Sequence, residues 1–223
     1  MPVKVHFAKV VLILVTIAIS IVTAFAICGC TGEPSNPGGR AVISSPDEGG
    51  SLYDLADEGY TELVSGDNVF YAVDAEHLFK FLEHGTGVLF LGYPECPWCQ
   101  QYVAYLNAEA REAGIDKIVY YNTRVSRTED PDSYAKLLSM LDERGKFTEY
   151  NDEGEERIFV PFLAVVEDGQ ITFSNNDTSH LDAREIEPVD YWTEDVLSSW
   201  KEKIAPELAQ AKDAMDKCQE CSD

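Results

Sequence analysis

Basic residues are scarce in this chain of 223 residues, which has 17 Lys and Arg against 40 Asp and Glu and a formal net charge of −23. Binding to a phosphate backbone needs a basic face, so the composition excludes general nucleic-acid binding. It also excludes a basic membrane-binding patch beyond the extreme N-terminus. The sequence contains no nucleophile triad, phosphate-binding loop or dinucleotide-binding fingerprint. Its six cysteines are too few for a disulfide framework, but 45% apolar residues are enough for a buried core.

The one long uncharged apolar run covers residues 10–27 and follows two lysines. It is at the lower limit of length for a transmembrane helix and is longer than a usual signal-peptide core. The motif Ile27-Cys28-Gly29-Cys30 resembles a bacterial lipobox, which predicts that residues 1–29 are a targeting segment and that Cys30 is lipidated. An uncleaved signal-anchor helix is the alternative. Both predict that the remaining chain lies on the extracytoplasmic face of the cell membrane, where disulfides persist.

The rest of the chain divides by composition. Residues 30–64 are predicted to be a flexible tether, because Gly, Pro, Ser and Asn occupy most positions of its first part. Residues 65–217 are predicted to form one α/β domain, and residues 218–223 a short tail. The acid-rich stretch 142–157 is predicted to be a solvated loop. A calcium site there is the alternative, although the alternating ligands of an EF-hand are missing.

The predicted order of elements in the domain is β-α-β-α-β-α-β-β-α. Such alternation predicts a central sheet covered by helices, parallel except for a late antiparallel hairpin. Asp74, Asp130 and Thr193 are predicted helix N-caps. The predicted elements are a strand at 69–73, a helix to 84, a strand at 88–91, a helix from 96 to 113, a strand at 118–121, a helix from 131, a strand at 158–166, a strand at 171–173 and a final helix that Pro206 kinks or divides.

The motif Cys96-Pro97-Trp98-Cys99 falls where a buried strand ends and a helix begins. Unpaired N–H groups and the helix dipole stabilise a thiolate at such a position, and proline at the first helical position loses no hydrogen bond. We therefore predict that Cys96 is an exposed nucleophile and Cys99 the resolving thiol. Trp98 is predicted to be exposed and to contact substrate, with a lid over Cys99 as the alternative. A structural disulfide or half of a zinc site are the alternatives for the pair.

A second motif, Phe159-Val160-Pro161-Phe162-Leu163 before Glu167-Asp168-Gly169, puts a proline into an apolar strand, where it removes a ladder donor. Together with the element order and the Cys-Pro-Trp-Cys motif, this resembles the thioredoxin superfamily over residues 65–217. The resemblance implies a thioredoxin-like fold and a cis Val160–Pro161 bond beside Cys96. It also implies a substrate groove at Pro97, Trp98, Val160 and Pro161, in which the Val160 backbone pairs with an extended substrate.

More narrowly, residues 92–100 look like thioredoxin-like proteins of Gram-positive bacteria that are grouped with bacteriocin-transport accessory proteins. Two features depart from typical thioredoxins. Phe90 occupies the position of a buried aspartate, and Pro-Trp replaces Gly-Pro between the cysteines. Both argue against a strong reductant, whereas Glu95 disfavours a thiolate beside it. The direction of the redox reaction is therefore left open.

Cys218 and Cys221 form a second C-x-x-C motif at the end of the chain. One hypothesis is a second redox pair that exchanges with the main site or with an electron donor, and the other is a local disulfide. A single zinc site built from both motifs is a third, but the sequence separation is far from zinc-ribbon spacing. The histidines at 77 and 84 are predicted to be surface residues or to have their hydrogen bonds satisfied, while His180 lies in a polar loop that could approach the active-site end.

These observations predict an extracytoplasmic, membrane-tethered thiol–disulfide oxidoreductase of thioredoxin-like fold. It would act on protein thiols and disulfides, exchange electrons with an unidentified redox partner, and need neither a cofactor nor a metal. The alternative is a non-catalytic accessory module of the same fold, which holds an exported peptide and uses Cys96–Cys99 as a static bridge.

Overall fold

The computed structural model of this protein describes residues 55–56, 59–63 and 67–220, without the side chains of 219 and 220. The predicted targeting segment, Cys30, most of the predicted tether and Cys221 lie outside these residues. The elements in chain order are β1 Phe70–Ala72, α1 Ala75–His84, β2 Gly87–Gly92, α2 Pro97–Glu112, β3 Ile118–Asn122, α3 Thr123–Glu129, α4 Pro131–Gly145, β4 Glu149–Tyr150, β5 Glu156–Arg157, β6 Phe162–Glu167, β7 Gln170–Asn175, α5 Pro188–Tyr191 and α6 Glu194–Glu220.

The central sheet has five strands in the order β1-β3-β2-β6-β7. The first three strands are parallel, while β6 pairs antiparallel with β2 and β7 antiparallel with β6. The predicted α/β class, with a mixed sheet covered by helices, is confirmed, and the architecture is compatible with a thioredoxin-like fold. No helix in the described part of the chain is long and apolar enough to cross a bilayer.

The sheet is buried on both faces, which explains the continuous apolar sequence of β2. Val88 and Phe90 pack on the side of α2 and α6, whereas Leu89 and Leu91 pack on the side of α1 and α4. Successive residues of a strand point to opposite faces, so an apolar run without alternation fits a strand covered on both sides. This burial fixes the position of β2 in the centre of the sheet. The loop that follows β2 therefore lies at the carboxyl ends of the parallel strands.

The predicted N-caps are confirmed. The side chains of Asp74 and Asp130 accept hydrogen bonds from the backbone N–H groups of His77 and Ser133. The Thr193 hydroxyl accepts one from Val196 N–H. Each cap satisfies a donor that the first helical turn leaves without a partner.

Several expectations differ from the structure. The stretch 142–157 is not only a loop: α4 continues to Gly145, and β4 and β5 form a two-stranded hairpin. The predicted strand at 158–166 begins only at Phe162, because Pro161 has no N–H to donate to a ladder. Pro206 does not divide the last helix, since it lies on an exposed face where water can solvate the carbonyl that its missing N–H leaves unpaired.

The packed domain also begins earlier than residue 65. Leu55 and Tyr60 are fully buried, and Leu63 is nearly so, in the core cluster that contains both cysteines of the Cys-Pro-Trp-Cys motif. The sequence did not indicate these core residues, because the overall composition of the region around them is that of a spacer. Burying them favours a fixed position on the domain.

Candidate redox site

Cys96 is the N-cap residue of α2, which begins at Pro97 directly after the loop from β2. Its sulfur accepts the backbone N–H of Cys99 at 3.2 Å, and its own N–H donates to the Tyr93 carbonyl at 3.1 Å. The N-cap position and the proline at the start of the helix are therefore as predicted. This geometry holds the sulfur where the helix presents its unpaired donors.

The two thiols differ in burial and in pKa. Cys99 contributes a hydrogen bond from its thiol and another from its backbone N–H to the Cys96 sulfur, and these lower the Cys96 pKa despite the opposing effect of burial. Burial raises the pKa of Cys99 far above its ordinary value, and the hydrogen bond and charge of Cys96 raise it further. Both cysteines are thiols in this structure. The pair therefore has one residue suited to be a nucleophile and one that is kept protonated.

The Val160–Pro161 peptide bond is cis, and the Val160 carbonyl oxygen lies 3.8 Å from the Cys96 sulfur. The position implied by the resemblance is therefore confirmed. Pro161 is buried directly before β6, and Val160 is half-buried. A backbone carbonyl next to the nucleophilic sulfur is a group with which the backbone of an extended peptide can pair.

Two expectations about exposure were wrong. Cys96 is 5% exposed and Trp98 is 4% exposed. The Cys96 sulfur turns inward, over the first turn of α2 and toward Val160. Trp98 packs edge-on against Tyr191 of α5, with ring centres 5.4 Å apart, and its indole N–H has no hydrogen-bond partner among the described residues. The burial of Trp98 agrees with the alternative expectation, in which its ring is a lid over Cys99.

Phe90, at the position of the missing aspartate, is fully buried among aromatic rings. Its ring stacks on Tyr102 at 5.9 Å and on Tyr120 at 6.2 Å between centres. The same end of β2 approaches the resolving thiol, because a Cβ atom added at Gly92 would lie 3.2 Å from the Cys99 sulfur. The surroundings of Cys99 are thus aromatic and apolar, which agrees with its raised pKa.

Tyr60, Tyr120 and Gln100 belong to this site, although the sequence analysis did not single them out. The hydroxyls of Tyr60 and Tyr120 lie 3.4 Å apart in the core, and burial, followed by the charge of Tyr120 and then that of Cys99, raises the pKa of Tyr60. Gln100 donates to the carbonyls of Pro94 and Gly59 at 2.6 and 2.7 Å. Only its place directly after the second cysteine could have drawn attention to Gln100.

Arg124 contacts the loop that carries Cys96. Its guanidinium lies 5.7 Å from the centre of the Tyr93 ring and 3.7 Å from the carboxylate of Glu95. This contact partly offsets the negative charge of Glu95. Both Arg124 and Arg127 also interact electrostatically with Tyr93, which places the two cations at one side of the site.

Cys218 lies at the other end of the sheet. It lines a cavity of about 390 Å³ together with Thr86 and Glu167, which are next to the start of β2 and at the end of β6. Since Cys96 follows the opposite end of β2, and a strand rises about 3.3 Å per residue, the two sulfurs are on the order of 15–20 Å apart. Cys218 therefore does not contact Cys96 or Cys99 in this arrangement. Cys221 lies outside the described residues, so the second redox pair and the local disulfide both stay predictions.

Of the three histidines in the described residues, His84 and His180 are exposed and His77 is half-buried. The ring of His77 bonds the capping carboxylate of Asp74 at 2.6 Å, and His84 is exposed at the end of α1. His180 stacks on Phe159, with ring centres 5.0 Å apart, and lies 3.4 Å from Glu149. His180 therefore lies near the segment that leads to Val160 and does not contact the cysteines. Among the described residues, no three His, Cys, Asp or Glu side chains converge to hold a metal ion.

The chain was also compared with known proteins. No protein-family model matches it, and no curated protein does. Neither comparison therefore assigns a family or a function.

Proposed function

We propose that this protein is a thiol–disulfide oxidoreductase that acts on protein disulfides or dithiols through Cys96 and Cys99. The observation that carries this proposal is the asymmetry of the pair. The Cys96 sulfur accepts a backbone N–H at 3.2 Å and has a lowered pKa, whereas Cys99 is fully buried behind it with a raised pKa. A static bridge needs no such difference, but a nucleophile and its resolving partner do.

The proposed reduction has two steps. The Cys96 thiolate attacks one sulfur of the substrate disulfide, so that a Cys96–substrate bond forms, the substrate bond breaks and the leaving sulfur takes a proton from water. Cys99 then gives up its proton and attacks the Cys96 sulfur. The Cys96–Cys99 disulfide forms, and the second substrate sulfur leaves and is protonated. Oxidation of a substrate dithiol is the reverse of these two steps. No cofactor is needed, because a partner dithiol reduces the Cys96–Cys99 disulfide again in the first case and a partner disulfide oxidises the two thiols again in the second.

The same proposal includes a substrate groove and a place in the cell. In this proposal Val160, whose carbonyl oxygen lies 3.8 Å from the Cys96 sulfur, and the exposed Pro97 border the groove, while their sequence neighbours Pro161 and Trp98 are buried and support it. We infer a member of the thioredoxin superfamily that is exported and held at the extracytoplasmic face of the membrane, by lipid on Cys30 or by an uncleaved helix. Mass spectrometry of the protein extracted from membranes separates these two, because only the lipoprotein begins at a diacylated Cys30.

Turnover tests the proposal. The full chain in detergent, with Cys218 and Cys221 replaced by serine, is assayed for dithiothreitol-dependent reduction of insulin. We expect catalysis that Cys96→Ser abolishes, and a mixed disulfide that accumulates when Cys99→Ser meets the substrate. Matched samples that retain Cys218 and Cys221 show whether the second motif contributes.

The reduction potential of Cys96–Cys99 in the same chain gives the direction of the reaction. A value near about −270 mV indicates a reductase, and one near about −120 mV an oxidant. Absent turnover together with a bridge that stays closed below about −300 mV would contradict the proposal. That result would favour the accessory module with a static Cys96–Cys99 bridge.

A further inference from the structure

The segment from Glu185 to Tyr191, called here the 185–191 segment, exposes apolar side chains close to the redox site. Ile186 is 37% exposed and Val189 is 61% exposed. They are two of only four large apolar side chains that are exposed in the described part of the chain. Neighbouring exposed apolar residues with a polar rim are typical of a surface that binds another protein.

The rim of this surface is acidic. Glu185, Glu187 and Asp190 are exposed, and none of them forms an ion pair within the described residues. Arg184, the cation next to Glu185 in sequence, is held by both carboxylate oxygens of Asp182. The 185–191 segment therefore presents uncompensated negative charge around its apolar side chains, on a protein whose net charge is already −23.

The segment adjoins the nucleophile through Tyr191. Its ring packs on Trp98, two residues after Cys96, and α5 lies against α2. Trp98 is 4% exposed, so Tyr191 helps to cover a side chain of the Cys-Pro-Trp-Cys motif. A protein that docks on the 185–191 segment is therefore next to the motif that carries the nucleophile.

We propose that the 185–191 segment docks a basic, partly apolar stretch of the substrate protein next to its disulfide. This inference rests on the proposed function and specifies its substrate class. Charge complementarity selects the occupant: a cationic stretch is attracted both by the local carboxylates and by the whole molecule, while an acidic one is repelled. The docked stretch then presents its disulfide to Cys96.

The test measures the first chemical step alone. The full chain carrying Cys99→Ser reacts with two synthetic peptides, each closed by one disulfide and containing one leucine, which differ only in flanking lysines or glutamates. The Cys96 thiolate forms a bond to one peptide sulfur, the peptide disulfide breaks, and the released thiolate is protonated by water. Bis(2-hydroxyethyl) disulfide is the neutral small probe. The readout is the second-order rate constant for the mixed disulfide, by mass spectrometry.

We expect the lysine peptide to react about tenfold faster than the glutamate peptide at low salt, and this ratio to fall as salt is added. Glu185→Gln/Glu187→Gln/Asp190→Asn is expected to reduce the ratio by about threefold or more. Ile186→Ser/Val189→Ser is expected to slow both peptides. The matched control is Glu83→Gln/Glu112→Gln/Asp213→Asn, which removes three exposed acids at the other end of the sheet and is expected to keep the ratio.

Equal rates for the two peptides would overturn the proposal, as would unchanged peptide rates after Ile186→Ser/Val189→Ser. A faster glutamate peptide would place recognition at Arg124 and Arg127 instead. An equal loss of the ratio in the control variant would show that net charge, and not this surface, selects the substrate. If the neutral probe does not react either, the proposed function fails and the docking proposal with it.

Discussion

At the scale of single residues, the two thiols of the site differ in environment because they lie at the start and at the end of one helical turn. Cys96 accepts the N–H groups of that turn, and Cys99 lies inside the core with its sulfur near Gly92. The largest contribution to the lowered Cys96 pKa is the hydrogen bond from the Cys99 thiol. Each cysteine therefore sets the protonation of the other, and the pair titrates as a unit.

This coupling predicts a pH dependence of alkylation. A thiolate forms as the pH rises through the pKa, so a lowered pKa makes Cys96 reactive at lower pH than an ordinary thiol, whose pKa is about 8.5. We expect iodoacetamide to label Cys96 with a midpoint below that value, and to leave Cys99 unlabelled in the folded protein. Cys99→Ala removes the thiol donor and is expected to move the midpoint upward.

Peptide-resolved mass spectrometry across pH measures this, with Cys218→Ala as the control. Cys218 lies at the other end of the sheet, so its removal is expected to leave the Cys96 midpoint unchanged. Equal labelling of Cys96 and Cys99, or no shift in the Cys99→Ala variant, would contradict the assigned roles.

At the scale of elements, Arg144 of α4 joins three parts of the fold through backbone carbonyls. Its guanidinium donates to Leu82 of α1 at 2.7 and 3.1 Å, to Gly169 at the β6–β7 turn at 2.9 Å and to Met140 at 2.8 Å. The carbonyl of Leu82 is one of those that the last turn of α1 leaves without a helical partner. The positive charge of Arg144 also interacts favourably with the negative, C-terminal end of the α1 helix dipole.

Replacing Arg144 by methionine keeps the aliphatic packing and removes all four hydrogen bonds. We expect a loss of about 2–4 kcal/mol in the free energy of unfolding, because half-buried carbonyls are left unsatisfied. Urea unfolding followed by circular dichroism measures it, and the midpoint is expected to fall without a change in slope. Arg184→Met removes an ion pair at the surface and serves as the control with no expected change. A similar loss in both variants would contradict the structural role of Arg144.

The elements that the sequence predicts well are those whose own residues specify them. The apolar run of β2, the caps Asp74 and Asp130, and the β6–β7 turn carry their signals locally. The helices α3 and α5 were missed because they are short and have no apolar face with helical periodicity. Contacts with the rest of the fold determine these two helices, and such contacts cannot be predicted from the local sequence.

The site follows the same division. The roles of Cys96 and Cys99 rest on a motif within one turn, and the motif around Pro161 led to the Val160 contact. The burial of Trp98 depends on Tyr191, which is far away in sequence, so no local pattern could predict it. For the same reason, the pairing of Tyr60 with Tyr120 appears only once the chain is folded.

At the scale of the whole molecule, the short segment before β1 completes the core at the redox end. Leu55 and Tyr60 are fully buried, and the backbone of Thr61 donates to the Gln100 side chain at 3.0 Å. Gln100 also holds the carbonyl of Pro94 in the loop before Cys96. The segment is therefore part of the domain and touches the helix that carries the site.

A chain that begins at Ser65 is therefore expected to be less stable than one that begins at Gly50. Burying a large apolar side chain contributes about 1.5–3 kcal/mol, so Leu55 and Tyr60 together set an upper bound of about 3–6 kcal/mol on the difference, which the entropy of ordering the segment lowers. Urea midpoints of the two chains measure the difference.

A matched pair of substitutions supports the same prediction. Tyr60→Ala is expected to cost about 3–5 kcal/mol, as for other fully buried aromatic residues. Tyr150 is 73% exposed, so Tyr150→Ala is expected to have little effect. Equal midpoints for the two truncated chains would show that the segment does not stabilise the domain.

The clustering of aromatic rings around Trp98 has an optical consequence. The chain has three tryptophans, and edge-on or tilted contacts connect all of them through Tyr102 and Tyr191 at the end of the fold that carries the cysteines. The emission of the whole protein therefore originates beside the dithiol, and a disulfide quenches indole emission more strongly than thiols do. We therefore expect the tryptophan emission of the native chain to report, without any added label, whether Cys96 and Cys99 are joined.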